Sequence, residues 1–409
     1  MKLTDYLIDF LTKNDVDKAF GLTGGSVVHI FDSIDRHPNI ETVFCHHEQS
    51  AAFAAAAYSK TKNKPCLCIV TTGPGGTNAL TGLLGAWLDS IPCIFISGQS
   101  RIDHTSRGKP IRQLGGQEFD IVSVVESMTN YAHLLTDPYL IKYELEKALY
   151  MATSGRPGPV WLDIPLDFQW VDLELDKLKS FNPKEKFKNE EETAYLDLWM
   201  FKKFLSLSER PLILLGSGVH LGEAEELAAD LINKWSIPFV STWSASDILP
   251  TDHQLYLGRP GTAGQRGANL AIQNCDLLLA LGSHLAIPHT GTNFDLFARD
   301  AKKVVVNIDQ NELDFQTVRV DLPIRCDVKD FLKKIEEEKI TYSNEISFWK
   351  EKCNEYKKYN SYSFKQLEGE DPVDPFYFLS NLSNKLKKDD MIVVDGGGTV
   401  AHTSFLAIE

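Results

Sequence analysis

Glu48 has the surroundings that acid–base chemistry asks of a carboxylate. It follows the apolar stretch Thr42-Val43-Phe44-Cys45 and the pair His46-His47, and it opens an alanine-rich run from 49 to 60. A short buried strand leading into a helix would set this carboxyl at the strand's carboxyl end, where desolvation raises a carboxyl pKa. Such a group can hold or share a proton near neutral pH. The same residue could be a solvated carboxylate in a first helical turn, favoured there by the helix dipole, and spacing alone prefers that simpler reading. The two histidines argue against a metal site. His-Glu-x-x-His needs its second His where Ala51 stands, and adjacent residues on a strand face opposite ways.

Glycine-containing loops supply further candidates. Thr71-Thr72-Gly73-Pro74-Gly75-Gly76-Thr77-Asn78 joins an apolar stretch to a helical one, and its backbone N–H groups could cradle a phosphate. It lacks the Gly-Lys-Ser/Thr ending of a nucleotide-hydrolysing P-loop, and a tight turn would explain it as well. Ser97-Gly98-Gln99 closes the next apolar stretch. Gly216-Ser217-Gly218 with Gly222 approximates a dinucleotide fingerprint, which leaves a flavin or nicotinamide oxidoreductase as one reading. Against it, the third glycine is one residue late, and the following strand ends in Ser241-Thr242 rather than an acidic residue.

These residues need elements to position them. Leu3, Leu7, Phe10 and Leu11 recur at helical spacing, and further helices are predicted over 27–34, 49–60 and 78–88. Strands are predicted over 42–45, 66–71, 92–97 and 160–164. Apolar strands without polar alternation, separated by helices, imply a parallel sheet covered on both faces. Residues 171–195, rich in Lys, Glu and Asp, read as a linker. A second α/β unit follows, with strands over 212–215, 238–241, 276–281 and 304–308 and a charged helical stretch over 328–358. A third unit begins near Asp374 with a helix to about 386 and a strand over 391–395. One strand and one helix cannot bury a core, so this unit is expected to be incomplete.

A chain of 409 residues should hold two or three domains. Its composition, 43% hydrophobic and 24% charged, is that of a soluble globular protein and excludes a disordered or disulfide-stapled chain. A formal charge of −14 repels phosphate backbones and argues against nucleic-acid binding. No apolar run suits a membrane span and no leader is evident, so a cytoplasmic protein is expected. The seven cysteines are scattered without a Cys-x-x-Cys pair, as small buried hydrophobes in a reducing compartment would be.

Taken together, the motifs of residues 1–170 resemble the pyrimidine-binding domain of thiamine-diphosphate enzymes of the acetohydroxyacid (acetolactate) synthase type. His47-Glu48-Gln49 is similar to that family's catalytic-glutamate segment, and residues 71–78 to its Thr-Ser-Gly-Pro-Gly-Ala-Thr-Asn loop. Leu88-Asp89-Ser90-Ile91-Pro92 through Ser97-Gly98-Gln99, and Ser154-Gly155-Arg156-Pro157-Gly158-Pro159-Val160 with Asp163-Ile164-Pro165, match its following strands. Residues 190–340 resemble its Rossmann-like central domain, which carries FAD in acetohydroxyacid synthases, and 365–409 the opening of its diphosphate-binding domain. The resemblance implies decarboxylation of a 2-keto acid such as pyruvate and transfer of the acyl unit to a carbonyl acceptor. Glu48 would bond the aminopyrimidine N1′ of thiamine diphosphate, and Gln117 would be the active-site glutamine. Thr23, Gly24, Gly25, Pro74 and Asn78 would contact the pyrimidine ring, with Gly398 and Thr399 near the diphosphate. Sites of this family form between subunits, which implies a homodimer or a dimer of dimers.

Several departures qualify the likeness. The family's Tyr-Pro-Gly-Gly is Leu22-Thr23-Gly24-Gly25 here, and its Phe-Gln-Glu is Gly116-Gln117-Glu118, which widens the acceptor side and suits nucleotide sugars or other keto acids. The stretch associated with FAD reads His284-Leu285-Ala286-Ile287-Pro288, so FAD is only a possibility. The Gly-Asp-Gly motif that holds Mg2+ does not follow Asp395, which places the metal ligands beyond Glu409. The chain is accordingly expected to be a truncated form, inactive alone, or a non-catalytic homologue.

Overall fold

The computed structural model describes residues 1–183, 198–360, 372–387, 389–394, 403, 404, 406 and 408. The chain divides into two compact units, 1–192 and 193–409. The first is built on a six-stranded sheet ordered β2-β1-β3-β4-β6-β5. Its strands are β1 (Lys18–Gly21), β2 (Glu41–Phe44), β3 (Cys66–Val70), β4 (Cys93–Gln99), β5 (Tyr131–Leu134) and β6 (Val160–Pro165). Every pairing is parallel. The connecting helices are α1 (Leu3–Lys13), α2 (Val28–Asp35), α3 (Glu48–Lys62), α4 (Pro74–Asn78), α5 (Leu80–Leu88), α6 (Ile121–Val125) and α7 (Ile141–Thr153).

Strand alternation divides the core between the two faces of this sheet. Cys66, Cys68 and Val70 of β3 pack with Ala51, Ala52 and Ala55 of α3 and with Leu83 of α5. Leu67 and Ile69, the intervening residues, face Leu7 of α1, Ile30 of α2 and Leu145 of α7. Each such buried Leu or Ile stabilises the fold by roughly 1.5–3 kcal/mol. The alanines of α3 make a narrow face that lets α3 lie close over β3, which brings the start of α3 to the carboxyl edge of the sheet.

The second unit holds a five-stranded sheet, also parallel throughout, ordered β11-β10-β9-β7-β8. Its strands are β7 (Pro211–Leu215), β8 (Phe239–Ser241), β9 (Leu277–Leu281), β10 (Lys302–Asn307) and β11 (Leu322–Arg325). The parallel-sheet α/β class expected from the sequence is present in both units. No helix among the described residues is long and apolar enough to cross a membrane.

Several expectations are corrected. The stretch ending at Cys45 forms an edge strand rather than a buried one: β2 pairs only with β1, and Phe44 is 56% exposed. β1, β5 and β11 were not apparent from the sequence, being only four residues each and, for β1 and β5, mixing polar with apolar positions. The predicted linker begins inside the first unit, where Leu173 and Phe181 are buried; its later part, 184–195, lies outside the described residues. The charged stretch 328–358 is two helices, Val328–Glu337 and Ser347–Lys357. The predicted strand over 391–395 is absent across its described residues 391–394, where Met391 and Val393 are each 95% exposed and no neighbouring strand pairs with them. The helix before it runs Pro375–Ser383.

Candidate active site

The carboxyl edge of the first sheet gathers the loops after β1, β2, β3 and β4. The chain leaves β1 for β2 and then returns to place β3 on the other side of β1, so the β1/β3 boundary is a switch point of the kind where open α/β sheets bind ligands. Glu48 is the first residue of α3 at this edge, and it is 8% exposed. Its Oε2 accepts a hydrogen bond from Asn78 Nδ2 at 3.0 Å. Its Oε1 has no hydrogen-bond partner among the described residues, and a Cβ built on Gly75 would stand 3.5 Å from it. His47 caps the helix, its Nδ1 accepting from the Gln49 N–H at 3.1 Å. That role occupies the imidazole nitrogen nearest Glu48's helix, and no group of three or more His, Cys, Asp or Glu among the described residues could hold a metal.

A buried carboxylate with one oxygen bonded and the other open toward a glycine-lined edge fits an N–H donor from a ligand. The aminopyrimidine of thiamine diphosphate presents such a group at N1′, which accepts a hydrogen bond in the amino form and donates one in the imino form. The open oxygen is not among the buried unpartnered atoms of the described residues, so it is the part of this otherwise buried side chain that a ligand at the edge can reach.

The loop after β3 is shaped for close approach. Most of it is not loop: Pro74–Asn78 forms the short helix α4, ahead of the separately starting α5. Gly73 has φ +63°, and a Cβ there would lie 2.3 Å from the Gln117 carbonyl oxygen, so only glycine permits this turn and this contact. Through that contact Gln117, itself at φ 58° and exposed, sits beside the start of α4. Gly24 meets the same loop from β1, since a Cβ on it would fall 2.4 Å from Thr71 Cβ. Ser26 Oγ and Thr71 Oγ1 are 2.7 Å apart, and Ser26 Oγ also accepts from the Thr72 N–H at 2.9 Å. Thr23, Gly25 and Pro74 are exposed at this edge. Glu48, Gln117, Pro74, Asn78 and the residues 23–25 are thus linked through adjoining loops, whereas Gly398 and Thr399 lie outside the described residues.

Beneath these loops runs a polar network that ties Ser97-Gly98-Gln99, one of the motifs singled out in the sequence, to Asp163, an association the sequence did not reveal. Asp163 in β6 is 2% exposed and accepts from Ser97 Oγ at 2.6 Å and from Gln99 Nε2 at 2.8 Å. Ser97 Oγ in turn accepts from Trp161 Nε1 at 2.8 Å. Burial pushes the Asp163 carboxyl up to about 7, against the pull of the Ser97 and Gln99 hydrogen bonds. The Gln99 amide also reaches Thr72 Oγ1, the Ser100 N–H and the Phe119 carbonyl. Beside Gln117, Glu118 is buried and accepts from the Ser106 N–H, the Ser106 hydroxyl and the Leu114 N–H. Burial raises its pKa, but these three bonds outweigh it and hold the carboxyl below its ordinary range. The available signal was a polar Ser-x-Gln and an Asp placed inside otherwise apolar strands.

In the second unit the glycines after β7 have a packing explanation. A Cβ on Gly216 would lie 2.3 Å from the Gly282 carbonyl oxygen, and one on Gly218 2.7 Å from Gly282 Cα. The β7 and β9 loops press together there, which accounts for the fingerprint-like spacing without a dinucleotide. The Gly216 and Gly218 N–H groups already donate to the Leu281 and Gly282 carbonyls at 2.9 Å, so the glycine spacing alone is no argument for a bound flavin.

Comparison with known proteins identifies the two units. Residues 1–124 match the thiamine pyrophosphate enzyme N-terminal TPP binding domain, and residues 201–335 match the central domain of those enzymes. The probable acetolactate synthase large subunit of Methanocaldococcus jannaschii is 31% identical over 405 residues, covering 95% of this chain and 65% of that protein. The acetolactate synthase large subunit of Lactococcus lactis subsp. lactis is 31% identical over 329 residues, 80% of this chain and 56% of that protein. The chloroplastic acetolactate synthase of Arabidopsis thaliana is 32% identical over 411 residues, 97% of this chain and 58% of that protein. The chain spans only 56–65% of the length of these three relatives.

Proposed function

The chain carries the N-terminal TPP-binding and central domains of thiamine pyrophosphate enzymes, and from that premise we propose that it serves the decarboxylation of a 2-keto acid, pyruvate being the first candidate, with transfer of the acyl unit to a carbonyl acceptor. The observation that carries this reading is Glu48: nine-tenths buried, fixed through one oxygen by Asn78 and open at the other. Thiamine diphosphate, when bound, supplies the carbon that adds to the keto group and accommodates the electron pair left by CO2.

The protein's part is to hold protons and orient groups. Glu48 Oε1 accepts from, or donates to, the ring nitrogen, and the burial of the rest of the side chain strengthens that bond. Asn78 prevents the carboxyl from rotating. Gly75 leaves no side chain between the carboxyl and an approaching ring. Gln117, held above Gly73, faces the acceptor side as an amide donor, and the open space beside Gly116, where a Cβ would meet nothing within 4 Å, supports a roomy acceptor.

Mg2+ would neutralise a bound diphosphate, but no described residues fit it, and no step here runs through it or through FAD. Residues 365–409 are assigned, as part of the proposal, to the opening of a diphosphate-binding domain. A homodimer belongs to the same reading, supported by exposed apolar side chains on α3 and α5: Phe53, Leu84 and Leu88.

The test is thiamine-dependent CO2 release from pyruvate by the intact natural protein and by its Glu48→Gln variant. Cofactor-dependent release that Glu48→Gln abolishes supports the proposal. Release that ignores thiamine diphosphate, or that survives Glu48→Gln undiminished, overturns it.

A further inference from the structure

Gln99 is a hub between the loop that holds Asn78 and the segment that holds Gln117. Its Oε1 accepts from the Ser100 N–H at 2.8 Å and from Thr72 Oγ1 at 2.9 Å. Its Nε2 donates to Asp163 Oδ2 at 2.8 Å and to the Phe119 carbonyl at 2.9 Å. The amide cannot be turned over. A backbone N–H can only donate and a backbone carbonyl can only accept, so Oε1 must face Ser100 and Nε2 must face Phe119. Asp163 Oδ2 adds a second acceptor on the Nε2 side and is itself fixed through Oδ1 by Ser97. Thr72 immediately precedes Gly73, and Phe119 lies two residues after Gln117. One side chain that is 3% exposed therefore spans both walls of the candidate site.

We propose that Gln99, oriented by Asp163, is a positioning residue that sets the placement of Gln117 against the Thr72–Asn78 loop, and so governs the acceptor side of the site. The inference rests on the thiamine-dependent reading given above. It asks nothing of Gln99 chemically: no bond to substrate, no proton moved. Its leverage is geometric, because small misplacements of a positioning group cost rate steeply. Gln99→Glu keeps the shape but sets an oxygen against Asp163 Oδ2 and the Phe119 carbonyl. Thr72→Val removes one strut near the rim with little change of volume.

The experiment uses the intact natural protein with pyruvate as donor and acceptor, and measures kcat, KM, thiamine-diphosphate affinity and amide hydrogen exchange. Gln99→Glu is expected to raise KM about tenfold or more while cofactor affinity changes less than about twofold. Exchange at residues 117–120 should quicken while α3 stays protected. In a Gln117→Ala background the same change should cost almost nothing further, as residues acting through one another are non-additive. Thr72→Val should show the same pattern, weaker, and it decides the matter if Gln99→Glu does not fold. Full additivity with Gln117→Ala, or unaltered exchange at 117–120, overturns the proposal. A fully active Glu48→Gln variant would instead overturn the thiamine reading, and the exchange data would still decide whether Gln99 positions Gln117.

Discussion

Asn78 and Glu48 belong to different helices and meet side chain to side chain, Nδ2 to Oε2 at 3.0 Å, at the point where both helices begin or end on the sheet's carboxyl edge. The amide restrains a carboxyl whose other oxygen is left open. Replacing Glu48 by Gln should lower kcat by about 10²–10⁴, the usual range for removing a proton-handling group, with the thermal midpoint nearly unchanged. Asn78→Ala should cost less, about tenfold, because it removes one hydrogen bond to the carboxyl, about 0.5–1.5 kcal/mol. Steady-state kinetics beside thermal melts checks both.

Gly73→Ala should act on stability and on the site together. The backbone at φ +63°, ψ −120° is open essentially to glycine alone and costs a side chain about 1–3 kcal/mol. The new methyl would also drive the Gln117 carbonyl away from 2.3 Å. Urea unfolding should show the loss, and KM should rise more than the stability change alone explains.

His220 in the second unit supplies a pH signature independent of catalysis. Asp247 Oδ1 and Glu225 Oε1 each lie 2.8 Å from a ring nitrogen, and the Asp247 bond foremost pushes the imidazole up to about 9, with burial opposing. A histidine raised in the folded state stabilises the fold fully below its ordinary 6.5 and loses that contribution as pH climbs through about 9. The ring is partly solvated, so screening leaves about 1 kcal/mol. Melting followed from pH 6 to 10 should show the decline, and His220→Gln should flatten it.

The exposed apolar side chains of α3 and α5 give a test of assembly. Leu88 is 63% exposed and Leu84 43%, on the helix that packs against α3. Leu88→Arg should shift the intact protein toward monomer in sedimentation, while leaving the fold of the first unit intact by circular dichroism, since the residue is not in its core.

Much of this arrangement could be read from residue order. Unbroken apolar strands such as Cys66-Leu67-Cys68-Ile69-Val70 announce a doubly covered parallel sheet, because only burial on both faces removes the need for polar alternation. Glu48 was legible as a candidate, but its burial was not: whether a first-turn carboxylate is wet or dry depends on loops from β1 and β3 that converge only in three dimensions. Asp163 and Gln99 were harder still. The two lie 64 residues apart in the chain, a distance that periodicity cannot bridge. The short strands escaped because Lys18-Ala19-Phe20-Gly21 owes its conformation to the neighbours it pairs with rather than to its own residues.

The cysteines carry a practical consequence. Cys66, Cys68 and Cys93 are sealed in the first unit and Cys275, Cys326 and Cys353 in the second, with only Cys45 partly open to solvent. Burial drives all seven thiols away from the reactive thiolate, but only Cys45 is reachable in the folded chain, so a thiol reagent would label Cys45 first and the other six only when their surroundings open. Three slow reporters in each half amount to a built-in pair of clocks, able to time the opening of each half separately without any engineered dye site.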